Sequence, residues 1–221
     1  MEQEGRLEEK YTLMSSKTRL TLEVTGAALF GALSLVFSAF ITPIIPRIPV
    51  WEIAIIDPVS ILWICCFLIF GPKSGLICCT IGTIGLFFFD KSAPIGPLMK
   101  FSATISLIIV PILMLRLYKS STKERKSQKY KKLRNYITTG ILGTVLRIIV
   151  MTFLNILLFI TIYAPYLGFT NLSFLGLPGV SGWTAIIIGA IIINAETSVW
   201  DLLVPYLIVF GLKIDQKFEI W

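Results

Sequence analysis

The side chains with the most chemical potential in this 221-residue chain are polar groups set in or beside long apolar stretches: Asp57, Lys100, Asn155, Asn194, Glu196 and Asp201. A polar group is costly to bury in an apolar span, so each is a candidate site residue by default. Asn offers both a donor and an acceptor, which can read an amide or the edge of a flat heterocycle without the full cost of a charge. Trp51, Tyr163, Tyr166, Trp183 and Trp200 supply aromatic surfaces nearby. Taken singly, each polar residue fits a helix-to-helix hydrogen bond or an interfacial anchor equally well. Their shared location at one end of the apolar segments is what points to a small-molecule pocket.

Catalysis is not expected. The chain has no His, which removes the usual general base of a Ser or Cys triad and the His ligands of membrane metalloproteases. It has no GxxxxGK[ST] phosphate loop. Asp57 and Asp201 could be imagined as an intramembrane aspartyl dyad, but neither stands in a diagnostic context. Cys65, Cys66, Cys78 and Cys79 lie as adjacent pairs in apolar stretches. Neighbours on a helix point about 100° apart and do not readily converge on one metal, so the four read as small buried hydrophobes. No metal and no cofactor is expected.

The elements that must position these residues follow from composition. With 55% hydrophobic residues, 15% charged residues and a mean hydropathy of +0.82, the chain is too apolar for an ordinary soluble domain. A net charge of +7 could suggest nucleic acid, yet nine of the twenty Lys and Arg fall between Arg116 and Arg134, opposed only by Glu124. A short basic block between two apolar segments is the signature of a cytoplasmic loop, held near the membrane by anionic lipid headgroups. Residues 1–18 mix acidic and basic side chains without a preceding apolar run, and read as a solvated cytoplasmic tail rather than a signal peptide.

A helix needs about 20 mostly apolar residues to cross the hydrocarbon core. Six spans are predicted, at about 19–41, 58–70, 76–89, 97–117, 138–163 and 194–212, with a basic loop at 118–135 and a C-terminal tail at 214–221. Pro43, Pro46 and Pro49 end the first and make 42–57 an extended loop. Gly71-Pro72-Lys73-Ser74-Gly75 permits a sharp reversal after the second. Arg147 falls within the fifth, and either snorkels or marks a later helix start. Residues 164–193 mix Gly, Pro, Asn and Ser with apolar residues. In the simplest solution they cover the outer face; in the alternative the last crossing begins near Trp183 and carries Asn194, Glu196 and Asp201 into the membrane.

The loops sort by charge. Nearly all Lys and Arg fall on the side of the N-terminus, the Gly71–Gly75 turn, the basic loop and the C-terminus, while the other side holds only Arg47 and Lys91. The expected fold class is therefore all-α, a polytopic integral membrane protein of six transmembrane helices with both termini cytoplasmic. On the first span Ala28 and Ala32 stand four apart, and Ala27 and Gly31 repeat the spacing. Such a face lets another helix approach closely, whether a partner's or one of the chain's own.

The chain resembles the substrate-binding S components of energy-coupling factor (ECF) vitamin transporters. The likeness rests on Ala28 and Ala32, on the Pro-rich loop leading to Ile56-Asp57-Pro58, on Phe70-Gly71-Pro72-Lys73-Ser74-Gly75, and on Ile95-Gly96-Pro97-Leu98-Met99-Lys100-Phe101. It looks most like the riboflavin-type members through Arg147-Ile148-Ile149-Val150-Met151-Thr152-Phe153-Leu154-Asn155 followed by Tyr163-Ala164-Pro165-Tyr166. The resemblance implies that Asn155 and Asn194 contact the ligand; Asp57, Lys100, Trp51, Glu196 and Thr197 complete the expected ligand-binding set. It also implies a vitamin as transported substrate rather than cofactor, and a plasma-membrane importer. The first helix would dock through Ala28, Ala32, Ala27 and Gly31 onto a transmembrane coupling protein that carries two ATP-binding subunits. Where the riboflavin group has a Lys shortly after the second Asn, this chain has Ala195-Glu196-Thr197-Ser198, which leaves a different vitamin as the alternative substrate. A self-sufficient secondary transporter is a further alternative, disfavoured because no inverted repeat is evident.

Overall fold

The structure, a computed structural model, describes residues 16–47, 54–117, 126–218 and 221. The expectations for most of the N-terminal tail, for Trp51 and for residues 118–125 of the basic loop lie outside these residues. Helix α1 spans Ser16–Phe40, α2 Pro58–Phe70, α3 Pro72–Phe89, α4 Ile95–Leu117, α5 Lys126–Lys131, α6 Leu133–Thr161, α7 Gly182–Tyr206 and α8 Asp215–Phe218. Among the described residues, five helical segments are long and apolar enough to cross a bilayer.

Helix α2 is different. Its 13 residues are apolar on all sides, and every one except Leu62 is buried. At about 1.5 Å per residue it is roughly 20 Å long, short of the hydrocarbon thickness. A helix that is hydrophobic all round belongs in a core, and α1, α3, α4 and α7 pack around this one. Its ends are set by sequence. Asp57 caps the N-terminus by accepting from the Val59 amide at 3.1 Å, with Pro58 in the first turn where its missing N–H is harmless. Gly71 ends it at φ +97°, a conformation that side chains resist, and Pro72 at once begins α3. The third helix therefore starts at Pro72 rather than at 76.

Close approach of backbones tightens the bundle. A Cβ on Gly82 would lie 2.5 Å from Trp63 Nε1, so only glycine lets α3 pass the indole. That indole donates to Ser34 Oγ at 3.0 Å, tying α2 to α1. All four cysteines are buried and free. The outward faces are apolar instead of polar, with Leu29, Phe88 and Phe153 largely exposed, as lipid-facing surfaces are.

Two further helix starts differ from the expected ones. Helix α6 begins at Leu133, in the basic segment, where Lys132 in an extended conformation separates it from α5; it is anchored by Tyr136, whose hydroxyl donates to the Leu202 carbonyl at 2.7 Å. Helix α7 begins at Gly182, well before Asn194, and Leu207–Gly211 extends it as a π turn. The short apolar run before Asn194 and the segment after it are one helix, so Asn194, Glu196 and Asp201 lie inside it. The all-α expectation also misses a small antiparallel hairpin, Asn171–Leu172 with Leu177–Ser181, which follows a 3-10 turn at Ala164–Phe169. The C-terminal residues are no loose tail: Trp221 is buried, stacks near Phe67 and donates to the Leu68 carbonyl at 3.0 Å.

Candidate functional site

At the end of the bundle opposite Trp221 lies a cavity of about 380 Å³. Five stretches of chain wall it. The connection after α1 contributes Thr42, Arg47 and Ala54; the start of α2, Asp57 and Ser60; the turn and first half of α4, Asp90, Ser92, Met99 and Lys100. Helices α6 and α7 close it with Arg147, Met151 and Asn155 from one and Ile193, Asn194 and Thr197 from the other.

On α6, Arg147, Met151 and Asn155 recur at every fourth residue, so the helix turns all three to one side. Asn155 lines the cavity, its Nδ2 donates to the Met151 carbonyl at 2.8 Å, and its Oδ1 has no partner among the described residues. The Asn194 amide is held from both ends. Its Nδ2 donates to the Ala190 carbonyl at 2.8 Å, and its Oδ1 accepts from Arg147 Nε at 3.1 Å. Thr197 lines the wall with its hydroxyl donating to the Ile193 carbonyl at 2.8 Å.

Asp57 does two jobs. Besides capping α2 it accepts from Ser60 Oγ at 2.8 Å and pairs with Lys100 Nζ at 3.0 Å. Burial pushes its carboxyl up, but the Lys100 ammonium together with these hydrogen bonds outweighs that effect and holds it below the usual carboxylate value. Ser60 is in turn within 2.9 Å of Thr104 Oγ1, so α2 and α4 are joined by a chain of hydrogen bonds at the cavity wall. Asp57→Ala is expected to lower stability by roughly 0.5–2 kcal/mol from the cap alone, with a further loss because Lys100 is left without its carboxylate. Thermal unfolding of the detergent-solubilised protein measures this, and a wild-type melting temperature would show that the cap is unimportant.

Deeper in the bundle, Arg147 Nη1 reaches Asp201 Oδ2 at 2.6 Å. Both side chains are almost wholly buried, and Asp201 Oδ1 has no partner among the described residues. Arg147 therefore neither snorkels nor marks a helix start. It sits mid-helix because a carboxylate from α7 meets it there.

The structure thus brings Asp57, Lys100, Asn155, Asn194 and Thr197 together around one space. Glu196 is not among them; it accepts from Trp200 Nε1 at 2.7 Å and does not line the cavity. Of the aromatic candidates within the described residues, Tyr163 lines the cavity, while Tyr166 and Trp183 are exposed on the surface. Arg47, Ser60, Asp90 and Ser92 were not singled out from sequence. A signal existed for three of them, since a Ser three residues after the N-cap Asp57 and the Asp90-x-Ser92 spacing both mark local side-chain turns. The four small residues of α1 divide into two rows. Ala27 and Gly31 face inward, where a Cβ on Gly31 would meet Ile81 at 3.0 Å, so they pack within the chain and are unavailable to a partner. Ala28 and Ala32 are exposed.

A family model described as ECF transporter, substrate-specific component, matches residues 22–210. No curated protein and no solved structure matches the chain.

Proposed function

Since this chain belongs to the substrate-specific components of ECF transporters, we propose that its cavity binds a vitamin, riboflavin, for import into the cell. A component of this kind is a multi-pass membrane protein and part of a transporter, and its family is not an enzyme family. The observation that carries the proposal is the cavity itself, a concave space at one end of an apolar bundle, lined by several hydrogen-bonding side chains. Riboflavin is favoured by the segment from Arg147 to Asn155, which puts Asn155 on the wall with a free acceptor oxygen. The acidic Glu196 weighs less against a flavin than its position in the sequence suggests, because the side chain is engaged by Trp200 outside the cavity.

In this reading the cavity opens to the outside of the plasma membrane. Six segments lie in the bilayer with α2 at their centre, both termini are cytoplasmic, and the basic stretch after α4 faces anionic headgroups. Energy comes from a coupling protein with two ATP-binding subunits, met by the exposed row of Ala28 and Ala32. Mass and absorption spectroscopy of the small molecule that co-purifies tests the ligand. A flavin is expected; absence of any flavin, with no thermal protection by added riboflavin, would transfer the cavity to another vitamin. Asn155→Ala is expected to weaken riboflavin binding about tenfold while leaving the melting temperature of the free protein unchanged. Unaltered affinity in a fluorescence titration would remove Asn155 from the binding surface.

A further inference from the structure

Arg147 stands where the buried pair meets the cavity. A guanidinium carries five N–H donors in a planar fork. Nε is committed to Asn194 Oδ1 and Nη1 to Asp201 Oδ2. Nη2 has no partner among the described residues, yet no nitrogen of Arg147 is both buried and unpartnered. Because Arg147 lines the cavity and is otherwise almost fully buried, the open direction for Nη2 is the cavity.

Its plane is fixed from α7. Asn194 and Asp201 are seven residues apart and share a helix face, so they grip the guanidinium at two points. Asn194 cannot swing away, since its own Nδ2 is tied to the Ala190 carbonyl. The charge is compensated by Asp201, so the site calls for a neutral oxygen acceptor rather than a carboxylate. We propose that Arg147 is a ligand-contacting, specificity-determining residue whose Nη2 donates to an acceptor oxygen at the inner end of the bound flavin, with Asp201 and Asn194 as positioning residues. This assignment rests on the flavin reading above. The oxygen is a ring carbonyl or a ribityl hydroxyl, which share the same chemistry.

The test is a set of fluorescence titrations with riboflavin, 2-thioriboflavin, 4-thioriboflavin and lumiflavin, on the wild-type chain and on the double variant Arg147→Met, Asp201→Leu. The thio analogues weaken one ring acceptor each, and lumiflavin lacks the ribityl hydroxyls. In the wild type, one analogue is expected to bind about tenfold to a hundredfold more weakly than riboflavin, the range for a hydrogen bond to a charged group. That ratio should collapse in the double variant. Loss at a thio analogue identifies a carbonyl; loss at lumiflavin identifies a hydroxyl. A purely structural Arg147 would lower all four affinities together and leave the ratios intact, which overturns the proposal, as would wild-type affinity for riboflavin in the double variant. Should the double variant not fold, Arg147→Lys is read by the same ratios. If the wild type binds no riboflavin, the flavin reading fails and the assignment falls with it, an outcome distinct from riboflavin binding that ignores Arg147.

Discussion

Asp201→Leu is expected to destabilise the chain by roughly 3–5 kcal/mol, the loss typical when one partner of a buried ion pair is removed and the other charge stays behind. Arg147 would then be left in the middle of a bundle with nothing to balance it except the amide oxygen of Asn194. The double variant Arg147→Met, Asp201→Leu should recover most of the loss, because apolar side chains of similar volume replace a pair whose desolvation offsets much of its attraction. The comparison is made on the fraction of monodisperse protein that survives a heating series in detergent. Equal melting for the single variant and the wild type would mean that the pair does not hold α6 to α7.

Ala28→Trp together with Ala32→Trp is expected to reduce vitamin uptake to the level of cells lacking the chain, while riboflavin binding to the purified protein stays at its wild-type value. The two alanines are exposed on α1, on the side away from the row of Ala27 and Gly31 that packs against α3. Among the described residues both positions are exposed, which leaves room for an indole. A partner helix that relies on small residues for close contact would be held off. Co-purification with the coupling protein and the ATP-binding subunits should fall in parallel with uptake. Normal uptake by the double Trp variant would assign docking to another surface. The converse substitution, Gly31→Trp, is expected to damage the fold itself, since Ile81 already occupies the space.

The two α1 rows show what a sequence can and cannot display. Spacing of four marks a helical face but does not say which neighbour it meets, so the inward and outward rows look alike until α3 is in place. The bounds of α2 were legible because Asp57-Pro58 and Gly71-Pro72 are local stop and start signals whose chemistry is complete within a few residues. The start of α7 was not. Gly182 carries no side-chain cap, and the apolar run at 185–194 is by itself too short to cross, so a start near Trp183 stands in the sequence only as the alternative reading. Glu196 is met locally by Trp200, four residues on, but what makes Asn194 and Asp201 tolerable lies elsewhere in the chain, at Arg147, 47 and 54 positions before them. A pairing at that separation leaves no trace in local pattern. For the cavity, the residues that resemble a known motif were legible, whereas Ser60, Asp90 and Arg47 reach it only through the fold of the connections that carry them.

Division of labour is the central claim: this chain binds and separate subunits supply energy. It is tested most directly by radiolabelled riboflavin uptake into proteoliposomes, containing either the chain alone or the chain with its coupling protein and ATP-binding subunits, each with internal ATP. Expected is saturable binding without accumulation for the chain alone, and ATP-dependent accumulation for the assembly. Concentrative uptake by the chain alone would contradict the claim.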